Sequence, residues 1–134
     1  KRLIGYVTSF ASGCLYCQAH TILGAERFGC TKKRLEEVWN YTNSSAFSKA
    51  EKSALDFAFA AASVPNKVTE KEASQLKNYW SDSDIVEIMG VIALFGFLNR
   101  WNDSMGSALE DLPIEKGEEH LMENTNWTPG KHRV

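Results

Sequence analysis

The 134-residue chain has only three cysteines, three prolines and three histidines, and its net charge is −2. An odd and small number of cysteines excludes a disulfide-rich secreted scaffold and favours a reducing compartment, so we expect a cytoplasmic protein. The longest basic run, residues 32–34, is typical of a solvated helix face rather than of a nucleic-acid interface. No nucleic-acid partner is therefore expected.

Long hydrophobic runs are also missing. The nearest one, residues 85–98, is interrupted by Glu87, Gly90 and Gly96 and is shorter than the ~18 apolar residues that cross a membrane, so no membrane partner is expected. Glycine-rich phosphate loops and the Gly-x-Ser-x-Gly pattern of serine hydrolases are absent as well. These absences direct attention to the few cysteine and histidine residues that the chain does have.

The spacing of apolar residues is helical throughout, and no segment shows the alternation of a strand. We predict one all-α domain over residues 1–134, a compact unit of about six helices. Residues 111–134 are polar, contain Pro113 and Pro129, and are expected to form an irregular C-terminal tail. Because helical periodicity is already present at Leu3, we expect native N-terminal helices to precede Lys1. The helices are expected at residues 1–12, 14–28, 32–41, 48–62, 69–80 and 84–101, with the last one central in the core.

The most informative feature is the Cys-x-x-Cys-x-x-His pattern of Cys14, Cys17 and His20, at the expected start of a helix. Each step of three residues turns a helix by about 300°, so the three side chains fan over about 120° of one face. A thiol near a helix N-terminus is more acidic because unpaired amides and the helix dipole stabilise the thiolate. The pattern predicts a dithiol redox site at which the imidazole moves a proton.

Four other interpretations compete with this one. A c-type haem site needs a histidine directly after the second cysteine, where this chain has Gln18. A thioredoxin-like motif needs a strand before it, and residues 1–12 fit a helix better. Structural zinc needs a fourth ligand, for which Cys30, His120 and His132 are the further candidates. Simple packing stays open for the pair and is the preferred interpretation of Cys30.

In the redox interpretation, the Cys17 thiolate attacks a peroxide oxygen and becomes a sulfenic acid. Cys14 then condenses with it to a disulfide, which an external dithiol reduces. The acidity of both thiols at the start of their helix, and the base at His20, support this order of events.

Four sequence blocks stand in a distinctive order: residues 3–9 (LIGYVTS), 13–20 (GCLYCQAH), 99–103 (NRWND) and 127–132 (WTPGKH). In these blocks the chain resembles the alkyl hydroperoxidase D / carboxymuconolactone decarboxylase-like family, especially its peroxidase-related branch. The resemblance implies an all-helical homotrimer or homohexamer and a haem-free peroxidase that acts on hydroperoxides. It also implies no metal and no bound cofactor, with a lipoyl or thioredoxin-like dithiol protein as the reductant.

The resemblance further implies that Cys17 is the peroxidatic residue, that Cys14 is its resolving partner and proton donor, and that His20 belongs to the proton relay. The hydroperoxidase itself has a glutamate twelve residues before the first cysteine and a histidine directly before the second. This chain has Arg2 and Tyr16 there, so a carboxylate from elsewhere, or Tyr16 itself, is expected in the relay. A decarboxylase-like lyase acting on a small lactone acid and a non-catalytic redox switch are the alternative functions.

Overall fold

A computed structural model describes residues 1–134 and contains eight α-helices, two short 3₁₀ helices and no strand. The all-α prediction is confirmed, and the count exceeds six because the C-terminal part of the chain adds two helices. No helix is both long enough and apolar enough to span a membrane. The helices are α1 (Arg2–Ser12), α2 (Leu15–Arg27), α3 (Lys32–Glu37), α4 (Lys49–Ala62), α5 (Glu70–Tyr79), α6 (Asp82–Met105), α7 (Asp111–His120) and α8 (Met122–Thr125), and the 3₁₀ helices are Val38–Asn40 and Gly130–His132.

Local capping signals set the starts of α4, α5 and α6. The side chains of Ser48, Thr69 and Ser81 each accept a hydrogen bond from a backbone N–H of the first turn. The carboxylate three positions later accepts a hydrogen bond from the backbone N–H of the cap residue itself. These boxes pair N–H groups that the first turn of a helix leaves without partners. Because Ser81 is the cap, α6 begins at Asp82, two residues earlier than expected.

Helices α1 and α6 both pack against α2 and α4 and against each other, but α1 is the more deeply buried and is the central element. Its residues Gly5 to Ser9 are all buried, and Tyr6 and Val7 belong to the main cluster of 18 buried hydrophobic residues. Only four residues of α6 are buried. The expectation that this helix is central was wrong because it is apolar on both faces, and periodicity alone does not show which face the fold covers.

The C-terminal segment is folded, so the prediction of an irregular tail over residues 111–134 was wrong. Trp127 is buried, and its indole Nε1–H donates to the Leu15 carbonyl of α2 at 3.2 Å. The indole also fills the space beside Gly117, where an added Cβ would lie only 2.5 Å from the ring. Pro113 does not interrupt α7 because it lies in the first turn, where an N–H has no partner within the helix.

Candidate active site

The junction between α1 and α2 places the cysteine pair. Gly13 has φ 75°, the left-handed conformation that favours glycine, and its N–H donates to the Phe10 carbonyl at 3.1 Å. The N–H of Cys14 then donates to the Ser9 carbonyl at 3.1 Å. This turn ends α1 and allows α2 to begin at Leu15.

Cys14 is the N-cap residue of α2, and its Sγ accepts a hydrogen bond from the backbone N–H of Cys17 at 3.4 Å. The predicted location of the pair at a helix N-terminus is confirmed. Cys14 is completely buried and Cys17 is 3 % exposed. The side-chain amide of Asn102, on α6, lies 3.8 Å from the Cys17 sulfur. Both thiols are free.

The two thiols differ in acidity. A hydrogen bond from the Cys17 side chain lowers the pKa of Cys14 in spite of burial, and the backbone N–H of Cys17 acts in the same direction. The pKa of Cys17 is raised by its hydrogen bond to Cys14, by burial and by the negative charge on Cys14. The pair therefore loses one proton readily and the second one with difficulty. The first negative charge is on Cys14.

This difference predicts the thiolate titration of the protein. One thiolate per chain is expected to form at a lower pH than an ordinary cysteine requires, because the pKa of Cys14 is lowered. Titration by ultraviolet thiolate absorbance should show this step in the wild type and in Cys30→Ser, because burial raises the pKa of Cys30. Cys14→Ser should lose it. An unchanged low-pH step in Cys14→Ser would contradict the assignment of the charge to Cys14.

Cys17 opens onto a cavity of about 500 Å³ between α2 and α6. Cys14 does not line this cavity, so a molecule that enters meets the Cys17 sulfur first. A larger groove of about 810 Å³ surrounds Cys30 and contains neither residue of the pair, so it is not a site for dithiol chemistry. The cavity is lined by Arg2, Tyr16, Cys17, His20, Phe95, Phe97, Leu98, Trp101 and Asn102.

His20 lies on the wall of the cavity and has a carboxylate partner. Its Nε2 is 3.0 Å from Oε2 of Glu110, the residue directly before α7. A carboxylate in this position fixes the tautomer and the orientation of the imidazole. Sequence reasoning expected a carboxylate from elsewhere but did not identify Glu110. No local pattern marks it, because 90 residues separate it from His20.

The two positions that depart from the hydroperoxidase pattern both lie at the cavity. Arg2 lines it, with its guanidinium 5.4 Å from the centre of the Phe28 ring. The Tyr16 ring is 4.5 Å from the His20 ring. Burial, and then the charge of Glu110, raise the pKa of Tyr16, so its phenol keeps the proton and is available as a hydrogen-bond donor.

The C-terminal segment also reaches the site. His132 is buried, its Nδ1–H donates to the Ser107 carbonyl at 2.8 Å, and its ring is 5.7 Å from Tyr16. Its Nε2 is 3.6 Å from Asp103. The negative charge of Asp103 opposes ionisation of both cysteines, but at Cys14 the hydrogen bond from Cys17 has the larger effect, and the pKa of Cys14 is still lowered. Both residues lie in blocks that carried the family resemblance, but sequence reasoning gave Asp103 no role and named His132 only as a candidate fourth zinc ligand.

A second cluster of ligand-type side chains lies apart from the cysteines. Donor atoms of Glu26, Glu119 and His120 are within 4.8 Å of one another. Lys116 Nζ lies 3.2 Å from Glu26 and 2.7 Å from Glu119. Its ammonium group therefore already offsets part of the negative charge of these two carboxylates. Because His120 belongs to this cluster, it does not supply the fourth ligand that the zinc interpretation of the cysteine pair requires.

Comparison with known proteins shows which family and which solved structures this chain is similar to. The model of the carboxymuconolactone decarboxylase family matches residues 1–60, which include the cysteine pair and His20. The crystal structure of the debrominase Bmp8 superimposes with a TM-score of 0.85 at 33% identity and covers 88% of this chain. Residues 1–60 therefore match the carboxymuconolactone decarboxylase family, and most of the chain has the fold of the debrominase. The resemblance seen in the sequence is therefore confirmed at the level of the family.

Two further solved structures are similar to this chain. A cysteine-to-alanine variant of the same debrominase, in complex with 2,3,4-tribromopyrrole, gives a TM-score of 0.85 at 32% identity and covers 88% of this chain. An Agrobacterium tumefaciens protein of unknown function, suggested to be the antioxidant defence protein AhpD, has a TM-score of 0.77 at 19% identity, covering 81% of this chain and 75% of its own. No curated protein sequence matches significantly. This chain spans 63% of the length of the debrominase.

Proposed function

We propose that this carboxymuconolactone decarboxylase-like protein is a cysteine-based peroxidase that reduces organic hydroperoxides through Cys14 and Cys17. The observation that carries the proposal is the arrangement of the pair. The Cys17 sulfur faces the cavity, and Cys14 lies behind it with the lower pKa of the two. A base paired with a carboxylate, His20 with Glu110, stands on the same wall.

The reaction begins when the terminal oxygen of a hydroperoxide contacts Cys17. The thiol proton of Cys17 passes to the Cys14 thiolate, so that the accessible sulfur becomes the nucleophile. As the S–O bond forms, the O–O bond breaks, and protonated His20 gives its proton to the leaving alkoxide to yield an alcohol. Cys17 is now a sulfenic acid.

The second half of the reaction uses Cys14 as the resolving residue. Its sulfur attacks the sulfenic sulfur of Cys17, the S–S bond forms, and water leaves with the Cys14 proton. The hydroperoxide has then accepted two electrons and the pair has lost them. An external dithiol protein, of the lipoyl or thioredoxin-like kind, reduces the disulfide by thiol–disulfide exchange.

The walls of the cavity favour an organic hydroperoxide over hydrogen peroxide. Six of its nine lining residues are hydrophobic, and Tyr16, Phe95, Phe97 and Trp101 present aromatic rings. Such walls bind an apolar substituent by removing it from water. The Arg2 side chain adds one positive charge at the rim.

Turnover measurements test this proposal. Consumption of cumene hydroperoxide and of hydrogen peroxide is followed with a dihydrolipoyl protein and with a thioredoxin as reductants. We expect turnover that requires a dithiol, with the higher kcat/KM for cumene hydroperoxide. Absence of peroxide consumption with every reductant, although the protein is folded and its thiols are free, would contradict a peroxidase.

A second candidate function is the reductive removal of a halogen from an aromatic ring. It is supported by the 33% identity to a debrominase and by the aromatic walls of the cavity. The chemistry balances with the same pair, because one aryl bromide and two thiols give one arene, one disulfide and hydrogen bromide. Bromide release from 2,3,4-tribromopyrrole with a dithiol reductant, without hydroperoxide consumption, would favour this function.

The proton relay gives a prediction for His20 and Glu110. His20→Gln keeps a hydrogen-bonding side chain of similar size but cannot titrate, so the rate with hydroperoxide should fall on the order of 100-fold. The rate should also lose the pH dependence that proton transfer by an imidazole gives, because glutamine has no proton to transfer. Glu110→Gln should give a smaller loss and keep part of the pH dependence. A His20→Gln variant with the wild-type rate and pH profile would show that His20 only supports the helix.

A further inference from the structure

One side chain from outside the cysteine motif reaches the sulfur that faces the cavity. Asn102 lies near the end of α6, and its side-chain nitrogen Nδ2 is 3.8 Å from the Cys17 Sγ. It is partly buried and lines the cavity onto which Cys17 opens. Sequence reasoning gave this residue no role, and 85 residues separate it from Cys17. The contact therefore exists only because α6 packs against α2.

A second hydrogen bond fixes the orientation of the Asn102 amide. Its Nδ2 also donates to the Leu98 carbonyl, one turn earlier on α6, at 3.0 Å. Because a carbonyl oxygen can only accept a hydrogen bond, the nitrogen of the amide, and not its oxygen, occupies this place. One N–H is then used by Leu98 and the other is available to the Cys17 sulfur. The amide therefore presents a donor to Cys17.

Different groups stabilise a negative charge on the two sulfurs. On Cys14 the side chain of Cys17 and the backbone N–H groups of Cys17 and Tyr16 lower the pKa. On Cys17 the hydrogen bond to Cys14, burial and the charge on Cys14 raise the pKa, and the hydrogen bond from Asn102 acts in the opposite direction. Backbone groups at the start of α2 thus favour a charge on Cys14, whereas a side chain of α6 favours a charge on Cys17.

We propose that Asn102 is a catalytic residue, which donates a hydrogen bond to the Cys17 thiolate when Cys17 becomes the nucleophile. The inference rests on the proposed function, in which the Cys17 proton passes to the Cys14 thiolate before the attack. That transfer moves the negative charge onto the sulfur that Asn102 contacts. A hydrogen bond to a charged group is about twice as strong as one between neutral groups, so the contact strengthens as the charge arrives.

A neutral donor suits this position. The amide carries no charge, so it stabilises the Cys17 thiolate during the reaction and leaves the charge on Cys14 before a substrate enters. The other charged or titratable groups around Cys17 are Cys14 before α2, Tyr16 and His20 on α2, Asp103 on α6 and Arg2 on α1. Apart from Cys14, none of these groups makes a hydrogen bond to the Cys17 sulfur. Asn102 is therefore the donor from outside the pair.

Alkylation of Cys17 tests this hydrogen bond directly. In a Cys14→Ser/Cys30→Ser background Cys17 is the one thiol of the chain. Below the pKa of that thiol, the rate of alkylation by iodoacetamide follows the fraction of thiolate. We expect Asn102→Leu to lower this rate by about tenfold or more, the scale of one hydrogen bond to a charged group. Asn102→Asp should lower it at least as far, because an ionised carboxylate has no N–H and repels the thiolate.

Turnover of cumene hydroperoxide gives the second measurement, with both cysteines of the pair present. Asn102→Leu and Asn102→Asp should each lower kcat/KM on the order of 10- to 100-fold. Asn78→Leu and Asn78→Asp, at an exposed position of α5, are the matched controls and should leave both alkylation and turnover unchanged. Circular dichroism shows whether each variant is folded. Since aspartate has the size and shape of asparagine, Asn102→Asp preserves the test if leucine disturbs α6.

The two measurements separate this inference from the proposed function. If the wild type consumes no hydroperoxide but alkylation of Cys17 is slower in both Asn102 variants, the peroxidase proposal fails and donation to the Cys17 thiolate is supported. An unchanged alkylation rate in folded Asn102→Asp overturns the inference, whatever the turnover. If the wild type does consume hydroperoxide, an unchanged kcat/KM in Asn102→Asp overturns it as well, since the hydrogen bond would then have no part in catalysis.

Discussion

Cys17→Ser is expected to lower the rate of reaction with cumene hydroperoxide by about 10³-fold or more, the scale of losing a nucleophile. The physical reason is access, since Cys17 lines the cavity and Cys14 does not. The variant should form no sulfenic acid that a dimedone-type reagent can trap. Cys30→Ser, a matched substitution outside the cavity, should react at nearly the wild-type rate.

Cys14→Ser should behave differently from Cys17→Ser. Without the resolving thiol, the Cys17 sulfenic acid should persist, accept the trap and oxidise further to sulfinic acid. The initial attack should also slow, because Cys14 is the group that takes the Cys17 proton. Intact-mass and peptide mass spectrometry distinguish these products. Trapping at Cys14 in the wild-type protein would reverse the assignment of the two roles.

Trp127→Ala is expected to destabilise the fold by about 3–5 kcal/mol, the usual cost of truncating a buried tryptophan. Trp127 is 2% exposed, fills the space beside Gly117 and donates to the Leu15 carbonyl. Equilibrium urea unfolding measures the loss. The matched control is Trp39→Ala at a half-exposed position, which should cost less.

The effect of Trp127→Ala on the cysteine pair shows whether residues 111–134 support the candidate active site or form only a tail. Because the Trp127 hydrogen bond fixes the first residue of α2, its loss should also disturb the cysteine pair and raise the pKa of Cys14 toward the usual value. A Trp127→Ala variant with wild-type stability would contradict the finding that residues 111–134 belong to the core.

Sequence reasoning was most successful where the structure depends on neighbouring residues. The capping boxes that begin with Ser48 and Thr69 require only a side chain and an N–H within one turn, so both helix starts could be predicted. The same holds for Cys14 as the cap of α2, because Gly13 directly before it ends α1. The location of the cysteine pair was therefore predictable.

Other features depend on contacts between distant parts of the chain. Glu110 approaches His20 only because α7 packs against α2, and no local pattern indicates this. The polar composition of residues 111–134 concealed the buried Trp127 and His132, which are held by contacts with α2 and with the end of α6. The exposure of Leu94, Phe97 and Trp101 on α6 likewise depends on the packing of the whole fold, because no local pattern shows which face of this helix its neighbours cover.

The most direct test of the dithiol cycle is a single turnover with one equivalent of cumene hydroperoxide, followed by a thiol count and peptide mapping. The account predicts the rapid loss of two of the three thiols, a disulfide between Cys14 and Cys17, and a free Cys30. It also predicts full recovery of the thiols on addition of a dithiol. Retention of all three thiols, or a disulfide that includes Cys30, would contradict it.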